Sequence, residues 1–323
     1  MPRRALCETA LVLSLAIWPI CAHAQHETDT LALQVALDRA GFSPGVIDGA
    51  MGQQTQKALK GFQEANGLAI TGKPDDETLR ALGEATEATT TAMVTETEAV
   101  GPFLAIPESM ADRAKLEGLY YSSIEEALAE KYHTTSAKLR ALNPGADFAA
   151  GSQIVVPAVR PTDLTNGSQD KWDAMLDQLS VVKSQPGAAK VVVDKSDKTV
   201  RAYDAGGKLI AQFPASIGSE HDPLPIGEWM INGVGRLPPF HYNPDLFWDA
   251  EAGDKKTKLP PGPNGPVGVV WIDLSKDHYG IHGTSEPEMI GRTQSHGCIR
   301  LTNWDAAKLA QMVRSGTPAI LQE

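Results

Sequence analysis

The residues best suited to chemistry stand close together near the C-terminus: Gly280-Ile281-His282-Gly283-Thr284, then Ser295-His296-Gly297-Cys298-Ile299-Arg300-Leu301. A thiol reacts as its thiolate, and an ordinary cysteine holds only a few per cent of that form at neutral pH. A nearby imidazole can take the thiol proton and raise the reactive fraction. Two histidines lie within 16 residues of Cys298. Gly297 leaves the backbone ahead of Cys298 unencumbered, so amide N–H groups there can face a developing oxyanion. These residue types suit nucleophilic attack by sulfur on a carbonyl.

Three other readings fit the same residues. Cys298 could be an inert core cysteine, although Ser, His and Gly make a poor core strand. His282, His296 and Cys298 are good zinc ligands, but His296 and Cys298 are only two apart, and a fourth ligand would have to come from Asp273 or His278. Redox sensing by Cys298 would lack a resolving cysteine. Arg300 has two roles open to it, holding a substrate carboxylate bidentately or bracing the Cys298 loop. Ser295 reads as a hydrogen-bonder of that loop.

The start of the chain bears on the cysteine count. Arg3 and Arg4, an apolar stretch from Ala10 to Ile20, and Ala22-His23-Ala24 form a secretory leader over 1–24, cut before Gln25. Cys7 and Cys21 would leave with it, so Cys298 is the one thiol expected in an exported chain, where unpaired cysteines are avoided. Pro19 interrupts an apolar stretch already short for a membrane span; no span is expected after cleavage. The formal charge of −11 argues against a partner bound through phosphates, and so against nucleic acid.

Upstream of the reactive residues the 323-residue chain divides into modules. Over 30–83, Leu33, Ala36, Leu37 and Ala40, and again Thr55, Ala58, Leu59 and Phe62, follow helical spacing. A glycine-rich turn separates them, and Asp75 or Asp76 caps a third helix. Residues 84–107, rich in Ala, Thr and Glu, read as a flexible linker. Over 108–160, Ser123 and Glu126 form a capping box, a second helix ends at Asn143-Pro144-Gly145, and Ile154-Val155-Val156 reads as a strand. A second linker spans 161–187. From 188 to 323 short strands alternate with turns, with a helix from Asp305 to Val313 and a closing strand at Ala319-Ile320-Leu321. The expected fold class is thus multidomain: a small all-α domain, a small α+β module and a mainly β C-terminal domain.

Leu33-Gln34, Gly41-Phe42, Asp48-Gly49, Gly52, Thr55, Phe62-Gln63, Gly67-Leu68 and Thr71-Gly72 make residues 30–83 resemble the peptidoglycan-binding three-helix domain. For Asp48 and the glycines, turn formation is the simpler reading. Residues 108–160 resemble a LysM-type glycan-binding module without its opening strand; a plain spacer is the alternative. His282-Gly283-Thr284 with Ser295 to Leu301 resembles the signature of the L,D-transpeptidases, the YkuD-like catalytic domain. The likeness continues through Tyr242 to Trp248, Gly262 to Gly268, Gly291-Arg292 and Asn303. It departs at Pro225-Ile226, where many members have Thr-Pro.

That resemblance implies a periplasmic enzyme needing no cofactor and no metal. Cys298 would attack the stem tetrapeptide at the L-centre carbonyl of diaminopimelate and release D-alanine. His282 would be the base, oriented by the Gly283 carbonyl. His296 and the amides of Gly297 and Cys298 would line the oxyanion hole, and the acyl group would pass to an amine as a 3→3 cross-link. Water as acceptor (a carboxypeptidase, or a hydrolase of wall–protein links) and a lysine of an outer-membrane protein remain open. So does a non-catalytic wall binder, which the intact His282, His296 and Cys298 oppose. The implied partners are peptidoglycan stem peptides and glycan. Arg236 to Pro266 reads as a loop of roughly thirty residues with little strand pattern, of the length that forms lids. Its Tyr242, Phe247 and Trp248 could cover the acyl donor and exclude water.

Overall fold

The computed structural model describes residues 18–83, 87–159, 170–251 and 253–323, with side chains from 29 onward. Most of the expected leader, and 161–169 of the second expected linker, lie outside them. Helix α1 (Trp18–Arg39) passes through the expected cleavage point at Gln25 and packs with α2 (Gln53–Ala65) and α3 (Asp76–Leu82). The apolar spacing does what it predicts: Leu33, Leu37, Ala58, Leu59 and Phe62 share one core with Phe42. Asp75 caps α3 by accepting from the Thr78 N–H. Two glutamines explain much of the motif. Gln34 donates to Asp48 and Thr55 and accepts from the Asp48 and Gly49 amides. Gln63 donates to Thr71 and Thr78 and accepts from the Gly72 amide. These residues close turns among themselves.

The expected flexible linker over 84–107 is corrected. Thr89–Met93 forms strand β1, followed by α4 (Glu96–Val100), whose capping box is Thr95 with Glu98. The middle module continues through α5 (Met110–Arg113), α6 (Ile124–Lys131), α7 (Ser136–Leu142) and β2 (Gln153–Pro157). Strand β1 pairs antiparallel with β2, Thr91 opposite Val155. The module therefore starts near 89 rather than 108. Sparse apolar content misleads here because β1 needs no core of its own. Its threonines suit a strand, β2 satisfies its backbone, and Val94 enters a core shared by Leu128, Leu139 and Phe148 with Leu31, Val35 and Ile47 of the N-terminal domain.

The second expected linker is corrected over its described part: α8 (Lys171–Gln178) stands there, and its Trp172 and Leu176 enter the core of the C-terminal domain. Strands β3 (Lys190–Asp194), β4 (Thr199–Tyr203), β5 (Leu209–Pro214) and β6 (Gly227–Arg236) follow. Next come β7 (Phe240–Tyr242), β8 (Thr257–Leu259), β9 (Val270–Leu274), β10 (Gly280–His282) and β11 (Ile299–Arg300). Helix α9 (Asn303–Met312) and β12 (Pro318–Gln322) close the chain. Eight strands form one sheet in the order β11-β10-β9-β6-β12-β3-β4-β5, and β7 pairs with β8 alone. Beyond β5, Ser216 exchanges two backbone hydrogen bonds of 2.9 Å with Arg300, so the sheet curls until its two ends meet. Among the described residues no helix is long and apolar enough to cross a membrane.

The modules dock on this domain instead of trailing from tethers. The N-terminal domain covers the edge strand β5: Ser43 donates to the Gln212 carbonyl at 2.9 Å, Gln212 to that of Gly41 at 3.0 Å, and Glu64 pairs with Arg201. An exposed edge would template foreign strands. The outer face of α9 is covered too, and its charges are paired across the modules. Lys308 meets Asp38 at 2.7 Å, Asp305 accepts from Ser43 at 2.7 Å, and His133 stacks on Trp304. Between α5 and α6, Leu119 donates to the Pro261 carbonyl and accepts from the Asn264 amide. Gly262 has φ +155°, and a Cβ there would lie 2.2 Å from the Leu119 carbonyl oxygen. Backbone cannot yield as a side-chain tip can. Gly262→Ala is expected to weaken this contact by about 1–3 kcal/mol, read as faster limited proteolysis between 102 and 118.

Candidate active site

Strands β10 and β11 run parallel, Ile281 beside Ile299 and His282 beside Arg300. Both isoleucines are fully buried in the core. Strand alternation then turns His282 and Arg300, and Cys298 one step before β11, to the opposite face. There His282, Ser295, His296, Cys298, Arg300 and Tyr242 line one cavity of about 1120 Å³. Cys298 is half-buried and its thiol donates to the His278 carbonyl at 3.6 Å, so it is neither sealed in the core nor disulfide-bonded.

His282 is buried, with Nδ1 2.7 Å from the Gly283 carbonyl oxygen. That contact puts the proton on Nδ1 and leaves Nε2 as the basic nitrogen. The Trp271 indole stacks on the ring at 5.5 Å. Burial pushes the imidazole down to about 4, the Gly283 bond opposing and the Arg300 charge assisting. Burial pushes the Cys298 thiol up to about 11, against the Gly280 backbone bond and Arg300, which lower it. At neutral pH the two groups rest as neutral thiol and neutral imidazole.

The loop around Cys298 is braced from both sides. The Ser295 hydroxyl donates to the Cys298 carbonyl, and Arg300 donates through Nη2 to that of Gln294. Arg300 Nε and Asp222 Oδ2 are buried without hydrogen-bond partners among the described residues, and both side chains line the cavity. Arg300 thus braces the loop and still has a donor to offer. Gly297 sits at φ +93°, and a Cβ on it would come within 2.8 Å of the Tyr279 ring.

The stretch 236–266 is corrected from a loop to a flap built on a hairpin, β7 with β8. Tyr242, buried at its base, donates to Asp254 at 2.7 Å. From its tip, Asp249 meets His296 Nε2 at 2.9 Å, Phe247 sets its ring against the same imidazole, and Trp248 stacks on His221. His296 therefore joins the flap to the cysteine loop. Trp248 is mostly exposed and lies beside the cavity rather than among its lining residues. Among the described residues no three His, Cys, Asp or Glu side chains are grouped to hold a metal ion.

Sequence reasoning missed several contributors. Trp271 and Tyr279 flank His282 and Gly297, His278 offers its carbonyl to the thiol, and Asp249 answers His296. The alternation of Trp271 with Asp273 was the available signal for a ring facing His282. Asn303 lies behind the site. Its Oδ1 accepts from the Val269 amide at 3.1 Å and would lie 2.1 Å from a Cβ at Gly283.

Residues 188–321 match the family model of the L,D-transpeptidase catalytic domain, and 26–82 match that of a peptidoglycan binding domain. A Bacillus subtilis relative named L,D-transpeptidase YkuD is 54% identical over 194 residues, covering 59% of this chain and 88% of its own. The Bacillus licheniformis protein of that name is 30% identical over 195 residues, covering 59% and 89%. Among solved structures, an L,D-transpeptidase from Mycobacterium smegmatis is 23% identical with a TM-score of 0.34. That match covers 41% of this chain and 58% of the other. By the two Bacillus matches, this chain belongs to the L,D-transpeptidase family.

Proposed function

We propose that this protein is an exported, periplasmic peptidoglycan L,D-transpeptidase with Cys298 as nucleophile and His282 as base. The observation that carries the reading is that adjacent parallel strands turn a thiol and a neutral imidazole into one cavity. As Sγ attacks the L-centre carbonyl of diaminopimelate, Nε2 of His282 takes the thiol proton. The oxyanion forms against the amides of Gly297 and Cys298, while His296, whose Nε2–H donates to Asp249, holds the loop that carries them. Collapse breaks the peptide bond, and D-alanine leaves with the proton from the imidazolium. An incoming amine then gives its proton to His282 and attacks the thioester, and sulfur departs and recovers that proton. The product is a 3→3 cross-link.

Gly283 supports this by holding the ring through its carbonyl. Arg300 and Ser295 shape the cysteine loop, and the remaining Arg300 Nε–H suits a substrate carboxylate. Tyr242 and Trp248 belong to the flap, which keeps water from the thioester. The two N-terminal modules serve binding to the wall. The antiparallel pairing of β1 with β2 around α6 and α7, with α4 and α5 inserted after β1, supports a LysM-like glycan binder for the second. Incubation with purified stem tetrapeptide, read by mass spectrometry, decides the acceptor. Dimers lacking one D-alanine are expected. Tripeptides alone would assign the acyl group to water, and no change in the tetrapeptide would overturn the enzyme.

A further inference from the structure

We propose that Glu130, on α6 of the middle module, is a positioning residue for the base His282, acting through Asn303 and Gly283. This rests on the reading of His282 as the base. Asn303 opens α9 with its amide wedged behind the site. Its Nδ2 donates to Glu130 Oε1 at 2.9 Å and to the Pro263 carbonyl at 3.2 Å, while its Oδ1 accepts from the Val269 amide at 3.1 Å. That amide fills the space a side chain would occupy on either of two glycines. A Cβ would lie 2.0 Å from Oδ1 at Gly268 and 2.1 Å at Gly283. The Gly283 carbonyl in turn holds His282 Nδ1 at 2.7 Å. A residue of the middle module therefore stands three contacts from the basic nitrogen's ring.

Stability alone does not account for Glu130. It is 5% exposed, and the groups around it are Tyr121, Asn303 and the like-charged Glu126. Burial pushes its carboxyl up to about 7, with the nearby Tyr121 hydroxyl and the Asn303 hydrogen bond opposing. Burying a carboxyl with no cation beside it costs free energy that an apolar side chain would not. What the carboxyl supplies is a directed acceptor. With it, both Nδ2 protons of Asn303 are held, and the amide plane is fixed against Gly283. Without it the amide can rotate, the Gly283 carbonyl loses its backing, and the imidazole is free to swing from the thiol. Small misplacements of a catalytic group cost rate steeply. The module beside the catalytic domain thereby becomes part of the machinery that orients the base.

The test compares Glu130→Met, Glu130→Gln, Asn303→Ser and the Glu130→Met/Asn303→Ser double variant in the full chain. Two readouts are taken at pH 7: alkylation of Cys298 by iodoacetamide, localised by mass spectrometry, and kcat and KM on the tetrapeptide. Methionine keeps the volume and removes the acceptor. It is expected to slow alkylation and lower kcat about tenfold, with KM within about twofold and the melting temperature not reduced. Glutamine still presents an oxygen to Asn303 Nδ2 and is expected to restore both rates to within about twofold. The double variant is expected to be no slower than the slower single one, as for residues acting in one chain of contacts. Unchanged alkylation in Glu130→Met, or losses that multiply in the double variant, would overturn the proposal. If Glu130→Met fails to fold, the comparison of Asn303→Ser with Glu130→Gln decides it: wild-type alkylation in Asn303→Ser overturns it, and a tenfold loss there with none in Glu130→Gln supports it. Alkylation needs no wall substrate. A wild-type chain that forms no transfer product, yet whose alkylation depends on Glu130, would sink the transpeptidase reading and leave the positioning role standing.

Discussion

Cys298→Ala is expected to abolish release of D-alanine and formation of dimer from tetrapeptide, a loss of at least about 10⁴-fold, while the fold survives. The size of the loss follows because the hydroxyls that line the cavity are far weaker nucleophiles than the thiol. The Ser295 hydroxyl is committed to the Cys298 carbonyl. The Tyr242 phenol is bonded to Asp254 and pushed up to about 12 by burial and that carboxylate, so it supplies no phenolate at neutral pH. The Thr284 hydroxyl accepts from the Glu286 amide. Survival of the fold follows from the thiol's small share in packing, since it is half-buried and makes one long bond to the His278 carbonyl. A stability change within about 1 kcal/mol is expected. Mass spectrometry of the products beside a thermal melt of both proteins measures the two effects. Dimer formed by a folded Cys298→Ala protein would remove sulfur from the chemistry.

The candidate site was legible because the residues proposed to react are local in sequence. His282 to Thr284 and Ser295 to Leu301 lie at the ends of two neighbouring strands, so spacing along the chain and proximity in space coincide. Asn303 and the Gly262 to Gly268 run could be singled out as residues, but not for what they do. Asn303 answers Glu130, 173 positions away, and Gly262 receives Leu119. Such contacts leave no periodicity to read. Asp249 was missed for a related reason: an acidic residue in an irregular stretch looks like solvated surface until a flap carries it to His296.

The N-terminal and catalytic regions match family models, whereas the expected linkers hold a strand and helices. The peptidoglycan-binding helices obey their apolar spacing, and α9 appears within two residues of its expected start. The error lay in judging each segment by whether it could bury its own surface. Thr89–Met93, strand β1, takes its partner from β2, and Val94 after it enters a neighbour's core. Likewise Asp38, Asp305 and Lys308 look like ordinary charged faces of two helices, and only docking buries them together. A charged pair shared by two modules is invisible to any reading that takes the modules one at a time. Burial of this kind also makes the assembly less tolerant of being pulled apart, because a lone charge would remain in a dry interface.

His282→Gln is expected to slow alkylation of Cys298 at pH 7 by about 10²–10⁴-fold and, more tellingly, to change the shape of the pH profile. In the wild type the competent form is neutral imidazole with neutral thiol, which prevails between about 4, where burial holds His282, and about 11, where it holds Cys298. The rate should therefore be flat from about pH 5.5 to 9 and fall tenfold per unit once His282 is protonated below about 4. Glutamine keeps an amide near the Gly283 carbonyl but accepts no proton. Its thiolate must then form by ionisation to solvent, and with the thiol near 11 only about one part in 10⁴ is ionised at pH 7. The variant's rate should climb tenfold per unit from pH 6 to 9, where the wild type is level. Two profiles rising in parallel would mean that His282 does not receive the proton. A wild-type rise centred between pH 5 and 7 would instead show a thiolate–imidazolium pair at rest, which the burial of both groups opposes: in a dry pocket the separated charges cost more than the neutral pair until the carbonyl arrives to take the sulfur's electrons.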